Sequence, residues 1–148
     1  MKQLAYGAVL AMLACPVLAD DALTISDLGK HAELTEAFDK MAEGHTIPDW
    51  VRGGAVGSPA EMAAFDGREY LVFSGCKQHD CGANQVALLY DPEGGVMHGL
   101  LVEGNPEKAQ SLTWLNIGGN AESIDGRTVL FAATTGSLAN HPDAFDYR

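Results

Sequence analysis

Positive charge is scarce in this chain. Nine Lys and Arg stand against twenty Asp and Glu in 148 residues, a formal net charge of −11. A nucleic-acid partner is therefore not expected, because binding phosphate needs the opposite sign. Cysteine is scarce as well, at three. No Gly-x-Ser-x-Gly, His-Glu-x-x-His or Cys-x-x-Cys run occurs, which removes the common signatures of a serine hydrolase, a zinc peptidase and a dithiol redox centre. Carboxylates are plentiful, but an acidic chain holds many carboxylate pairs by chance. Nothing in the pattern requires an enzyme or a cofactor. Internal repeats, low-complexity tracts and linkers are missing too.

Long apolar runs are confined to the start. Met1 and Lys2 open it, an apolar stretch covers residues 4–13, and Val17-Leu18-Ala19 ends on a small residue. This is the pattern of a secretory leader cut after Ala19, at residues 1–19. The stretch falls short of the roughly 20 residues a bilayer span needs, and no later segment supplies a membrane anchor. Lipidation at Cys15 is a weaker alternative, since Met12 stands three before it and Pro16 directly after. Cleavage leaves residues 20–148, one domain's worth of chain with a sizeable core. The mature chain would keep eight basic and twenty acidic side chains, a net charge of −12. Acidity of this kind keeps a protein soluble. It also draws in a basic partner from a distance. The expected home is the periplasm.

The remaining pattern is that of an α+β domain. Residues 23–44 read as a helix that Thr24 or Ser26 can cap, with Leu34, Phe38 and Met41 at helical spacing and Gly44 as the stop. Pro48 opens a further short helical turn. Ser58-Pro59-Ala60-Glu61 resembles a capping box, yet Asp66-Gly67 follows closely and is a favoured centre for a two-residue hairpin. The hairpin is the stronger signal, since residues 69–73, Glu-Tyr-Leu-Val-Phe, are strand-like. Residues 84–90, 96–102 and 112–117 follow as strands, and Asp91-Pro92-Glu93-Gly94-Gly95 reads as a turn. Residues 125–133 read as a helix capped by Asp125. The sum is an antiparallel sheet of about five strands with helices packed on one face.

The densest chemistry lies between two of those strands, in Cys76-Lys77-Gln78-His79-Asp80-Cys81. Once the leader is lost, Cys76 and Cys81 are the two cysteines left. An even count in an exported protein reads as a disulfide. The ring would hold Lys, Gln, His and Asp at one stiff tip. Three uses are open. A Cys–His nucleophile pair is disfavoured, because a disulfide leaves no thiolate. Cys76, His79 and Cys81 are ligand types that zinc accepts, but a structural site takes four and no second Cys/His pair stands near. The third use is a plug. An imidazole on a rigid tip can donate and accept hydrogen bonds. A hydrolase cleft with one protonated and one ionised carboxylate is a natural receptor for it. An exposed loop histidine without a partner remains an equal alternative on spacing alone. Trp50 and Trp114 read as packing residues, His98 as a satisfied strand residue and His141-Pro142-Asp143 as a terminal turn.

A resemblance weighs on that choice. LTISDL from Leu23, GHTIPDWVRGG from Gly44, GCKQHDCG from Gly75, LTWLNI from Leu112 and SIDGRTVLFAATTGSLANHPDAFDY from Ser123 are similar to the Ivy family of Gram-negative bacteria, inhibitors of vertebrate lysozyme. The resemblance covers residues 23–147. It implies a periplasmic, non-enzymatic inhibitor of c-type lysozyme, with an antiparallel sheet flanked by helices and the 76–81 loop entering the partner's cleft. His79 then falls at the family's central histidine, which meets the two catalytic carboxylates, and Lys77 and Asp80 at its loop neighbours. The family loop usually carries proline where this chain has Gln78. Monomers and dimers both occur in the family, so assembly state does not carry over. A lytic transglycosylase as target and a periplasmic metal or redox module are the alternatives.

Overall fold

A computed structural model describes residues 22–118 and 122–147. The expected leader, residues 1–19, and Cys15 lie outside the described residues. The chain runs α1 (Ala32–Ala42), α2 (Asp49–Gly53), β1 (Ala55–Gly57), β2 (Glu61–Phe65), β3 (Arg68–Lys77), β4 (Asn84–Asp91), β5 (Val96–Asn105), β6 (Ala109–Leu115), α3 (Glu122–Thr134) and α4 (Ser137–Asn140), with 3-10 turns at Ile25–Asp27 and Pro142–Phe145. The expected α+β class and antiparallel sheet are present, with six strands. β3 to β6 form a meander, every pair antiparallel.

The Asp66-Gly67 hairpin forms where expected. Phe65 pairs with Arg68, and Asp66 and Gly67 take φ of +52° and +72°. Two consecutive positive φ values are what a tight primed turn demands, and Asp-Gly supplies them at little steric cost. β3 is long enough to serve two partners. Its first half pairs with β2 and its last three residues with β1. Strand β1 was not expected from the sequence, since Ala55-Val56-Gly57 is too short to show a period. Its approach to β3 requires glycine: a Cβ on Gly57 would lie 2.2 Å from the Ser74 carbonyl oxygen.

The helices lie on both faces of the sheet, which corrects the expectation of one. Side chains alternate along a strand. Val86, Leu88 and Tyr90 of β4 therefore face Leu34, Phe38 and Met41 of α1. Ala87 and Leu89 face Val129 and Leu130 of α3. The unbroken run Val86-Ala87-Leu88-Leu89-Tyr90 is buried throughout, as a strand covered on both faces must be. Trp50 and Trp114 are half-buried against the two cores, as expected of packing residues.

Two helix boundaries also differ. The 23–44 segment breaks at Gly29. Thr24 first caps a 3-10 turn, its amide donating to Asp27 Oδ2 at 2.8 Å and its hydroxyl to the same oxygen at 3.0 Å. The chain re-enters a helix only at Ala32. The break sets Ile25 under β1 and β3 while α1 crosses β5. The Lys30 ammonium and the Thr24 donors hold the Asp27 carboxyl down at about 2. Asp125 sits inside α3, one turn past its start at Glu122, and is no cap. His98 is buried, and its Nδ1 is hydrogen-bonded to the Asn116 carbonyl, so it is a satisfied structural residue. His141 precedes the 3-10 turn that Pro142 opens. Beyond that turn the chain clips onto β2, the Tyr147 amide donating to the Ala64 carbonyl at 2.7 Å.

The meander puts the β2–β3 and β4–β5 turns at one end of the sheet. The β3–β4 loop and the β5–β6 turn share the other. Among the described residues no helix is long and apolar enough to cross a membrane.

Candidate functional site

The β3–β4 connection gathers all six residues singled out in the sequence at one tip. Cys76 is the last β3 residue paired to β4, opposite Gln85, so the ladder holds the loop at its base. A disulfide joins Cys76 to Cys81, with Cα atoms 4.8 Å apart. Both sulfurs are thereby withdrawn from nucleophilic or thiolate-ligand chemistry.

Inside the ring the chain makes a four-residue turn. The Asp80 amide donates to the Lys77 carbonyl at 2.9 Å. Gln78 keeps a negative φ and His79 takes +66°. That sign pattern is the one a type II turn requires, with Gln78 at the position that suits proline and His79 at the position that suits glycine or asparagine. A non-glycine residue in the left-handed region costs on the order of 1 kcal/mol, and such residues cluster at functional sites. The conformation leaves Lys77, Gln78 and His79 exposed at the apex.

Asp80 fastens the apex to β4. Its Oδ2 accepts from Asn84 Nδ2 at 2.7 Å, and its carbonyl accepts from the amides of Ala83 and Asn84 at 3.2 and 3.1 Å. The Lys77 ammonium lies 3.9 Å from the same carboxylate oxygen, with both side chains about half exposed (48% and 44%). A pair this open contributes at most a few tenths of a kcal/mol. The role of Asp80 is therefore to position the turn, through Asn84 more than through Lys77.

Three further residues pin the loop, and the sequence reading missed them. Gln85 Nε2 donates to the Cys81 carbonyl at 3.0 Å, Gln110 Nε2 to the Gly82 carbonyl at 3.1 Å, and the Gly104 amide to the Ala83 carbonyl at 2.9 Å. Asn84 could have been suspected from its spacing, four residues beyond Asp80. Gln110 lies 28 residues from its partner, and no local pattern announces it. His98 and His141 are not part of this tip. Among the described residues no group of three or more His, Cys, Asp or Glu side chains could hold a metal ion.

The chain matches the protein-family model "Inhibitor of vertebrate lysozyme (Ivy)" over residues 33–117, a span that contains the whole loop. It is 43% identical over 138 residues to the inhibitor of vertebrate lysozyme of Escherichia coli K12, covering 93% of this chain and 87% of that protein. A shorter match, 29% identical over 65 residues, joins it to the inhibitor of vertebrate lysozyme of Pseudomonas aeruginosa, over 43% of this chain and 42% of that one. With a match over more than half its length and a relative aligned along almost all of it, the chain belongs to the inhibitor of vertebrate lysozyme (Ivy) family.

Proposed function

We propose that this protein is a non-enzymatic inhibitor of c-type lysozyme, exported to the periplasm after loss of residues 1–19, and that its 76–81 loop enters the enzyme's active-site cleft. The observation that carries the proposal is His79, an exposed imidazole held at positive φ on the apex of a disulfide-closed turn. The support is chemical. Glycan hydrolases of this type work with one protonated and one ionised carboxyl group. Imidazole has two ring nitrogens that donate or accept, so one side chain can engage both groups and fill the space the sugar needs. A turn fixed before binding loses less freedom on association. The strong acidity of the chain, −11 overall, favours encounter with a basic enzyme.

The test is His79→Ala against a purified c-type lysozyme. A central anchor of an interface contributes about 2 kcal/mol or more, so inhibition should weaken at least about 30-fold with circular dichroism unchanged. Undiminished inhibition by the folded variant would overturn the role of His79.

A further inference from the structure

The disulfide loop does not stand alone at its end of the sheet. The β5–β6 turn, Asn105-Pro106-Glu107-Lys108, lies against it. The Gly104 amide and the Gln110 side chain bond the loop's Ala83 and Gly82 carbonyls, and a Cβ on Gly82 would lie 3.8 Å from Pro106 Cγ. The turn is braced by its own bonds. Pro106 fixes φ at its first central position, Asn105 Oδ1 accepts from the Glu107 amide at 2.8 Å, and the Lys108 amide donates to the Asn105 carbonyl at 3.1 Å. Between the two lies an open groove of about 530 Å³, walled by Asp80 and Asn84 on one side and Asn105, Pro106 and Glu107 on the other. All four turn residues are exposed.

We propose that this turn is a second contact arm, which lies along the rim of the partner's cleft while His79 occupies its floor. The inference rests on the reading that the 76–81 loop enters that cleft. A body that inserts one finger brings its rigidly attached neighbour to the rim, and the two arms here share a hydrogen-bonded base. Glu107, at the second central position of the turn, then meets a cation on the rim of a basic enzyme. Lys108 follows it with opposite sign, so the arm is selected by its place and stiffness, and Glu107 supplies the charge contact.

The experiment compares two charge reversals of equal size. Glu107→Lys alters the arm. Glu93→Lys alters the β4–β5 turn at the far end of the sheet, where Glu93 is also exposed. Association with a purified c-type lysozyme is followed by stopped-flow or biosensor kinetics over a salt series. Glu107→Lys should slow association about tenfold at low ionic strength, with the difference narrowing as salt rises, whereas Glu93→Lys should change it less than about threefold. Equal effects of the two would overturn the second arm and reduce the acidity to a diffuse field. His79→Ala, run beside them, separates the premises. If it leaves inhibition intact, the loop reading fails. If it abolishes inhibition while Glu107→Lys behaves like Glu93→Lys, only the arm fails.

Discussion

Gln78→Pro should make this protein both more stable and a better inhibitor, and each step of that expectation can be read from the loop. Proline needs φ near −65°, no amide hydrogen bond to lose, and an extended residue before it. Gln78 has a negative φ, and Lys77 before it is the last residue of β3. A compatible proline contributes about 0.4–1 kcal/mol by restricting the unfolded chain. The six-residue disulfide ring already restricts that chain, so the lower figure applies, about 0.5 kcal/mol, or roughly 2 °C in Tm for a domain of this size. If the same freedom is lost again on binding, the variant should also inhibit about twofold more tightly. Gln78→Gly should move both quantities the other way, since glycine widens the unfolded ensemble. Differential scanning calorimetry and a lysozyme inhibition titration measure the pair. A proline variant that melts several degrees lower would show that the turn does not have the type II form and that His79 is presented differently.

Removing the ring should be more damaging. Cys76→Ser with Cys81→Ser should cost about 2 kcal/mol by the loop-entropy relation for a six-residue ring, some 6–10 °C in Tm. Inhibition should fall with it; full inhibition by the unlinked protein would show that pre-shaping of the tip is irrelevant. At the other end of the sheet, Arg68→Ala should lower stability, because it strips a charged partner from Asp91, whose side chain is only 5% exposed, and leaves it the amides of Glu93 and Gly94. Burial alone would push the Asp91 carboxyl up, but the amides of Gly94 and Glu93 and the Arg68 guanidinium outweigh it and hold the group below the usual carboxylate value. The sign follows: a depressed folded pKa contributes stability that is complete above the ordinary value of 3.8 and lost as the pH falls through the lower folded one. Urea midpoints of the parent and the Arg68 variant should therefore converge in acid, and a gap unchanged between pH 7 and about pH 2 would refute the pairing.

The local features were legible because their causes are local. Asp66-Gly67 announces its turn through positive φ, residues 84–90 announce a strand, and the two cysteines announce a ring. The single-face placement of helices failed for a related reason. The run from Val86 to Tyr90 carries apolar groups on both sides of the strand, so it called for cover on both faces, and alternation alone does not say which helices supply it. The unbroken helix over 23–44 failed because helical periodicity survives a break at Gly29 that only the separate seats of Ile25 and α1 make necessary.

The sequence by itself determined the contents of the tip. It placed six residues of fixed chemistry between two strands, with cysteines spaced to close them. Only the tertiary structure decided how that tip is presented. The left-handed φ of His79, the clamp from Asn84 and the bond from Gln110 depend on bringing β4, β5 and β6 beside the loop. Contacts across tens of residues arise from sheet register, which no short stretch of sequence encodes. The neighbouring turn at 105–108 became visible for the same reason, since a meander returns every second connection to the same end of its sheet.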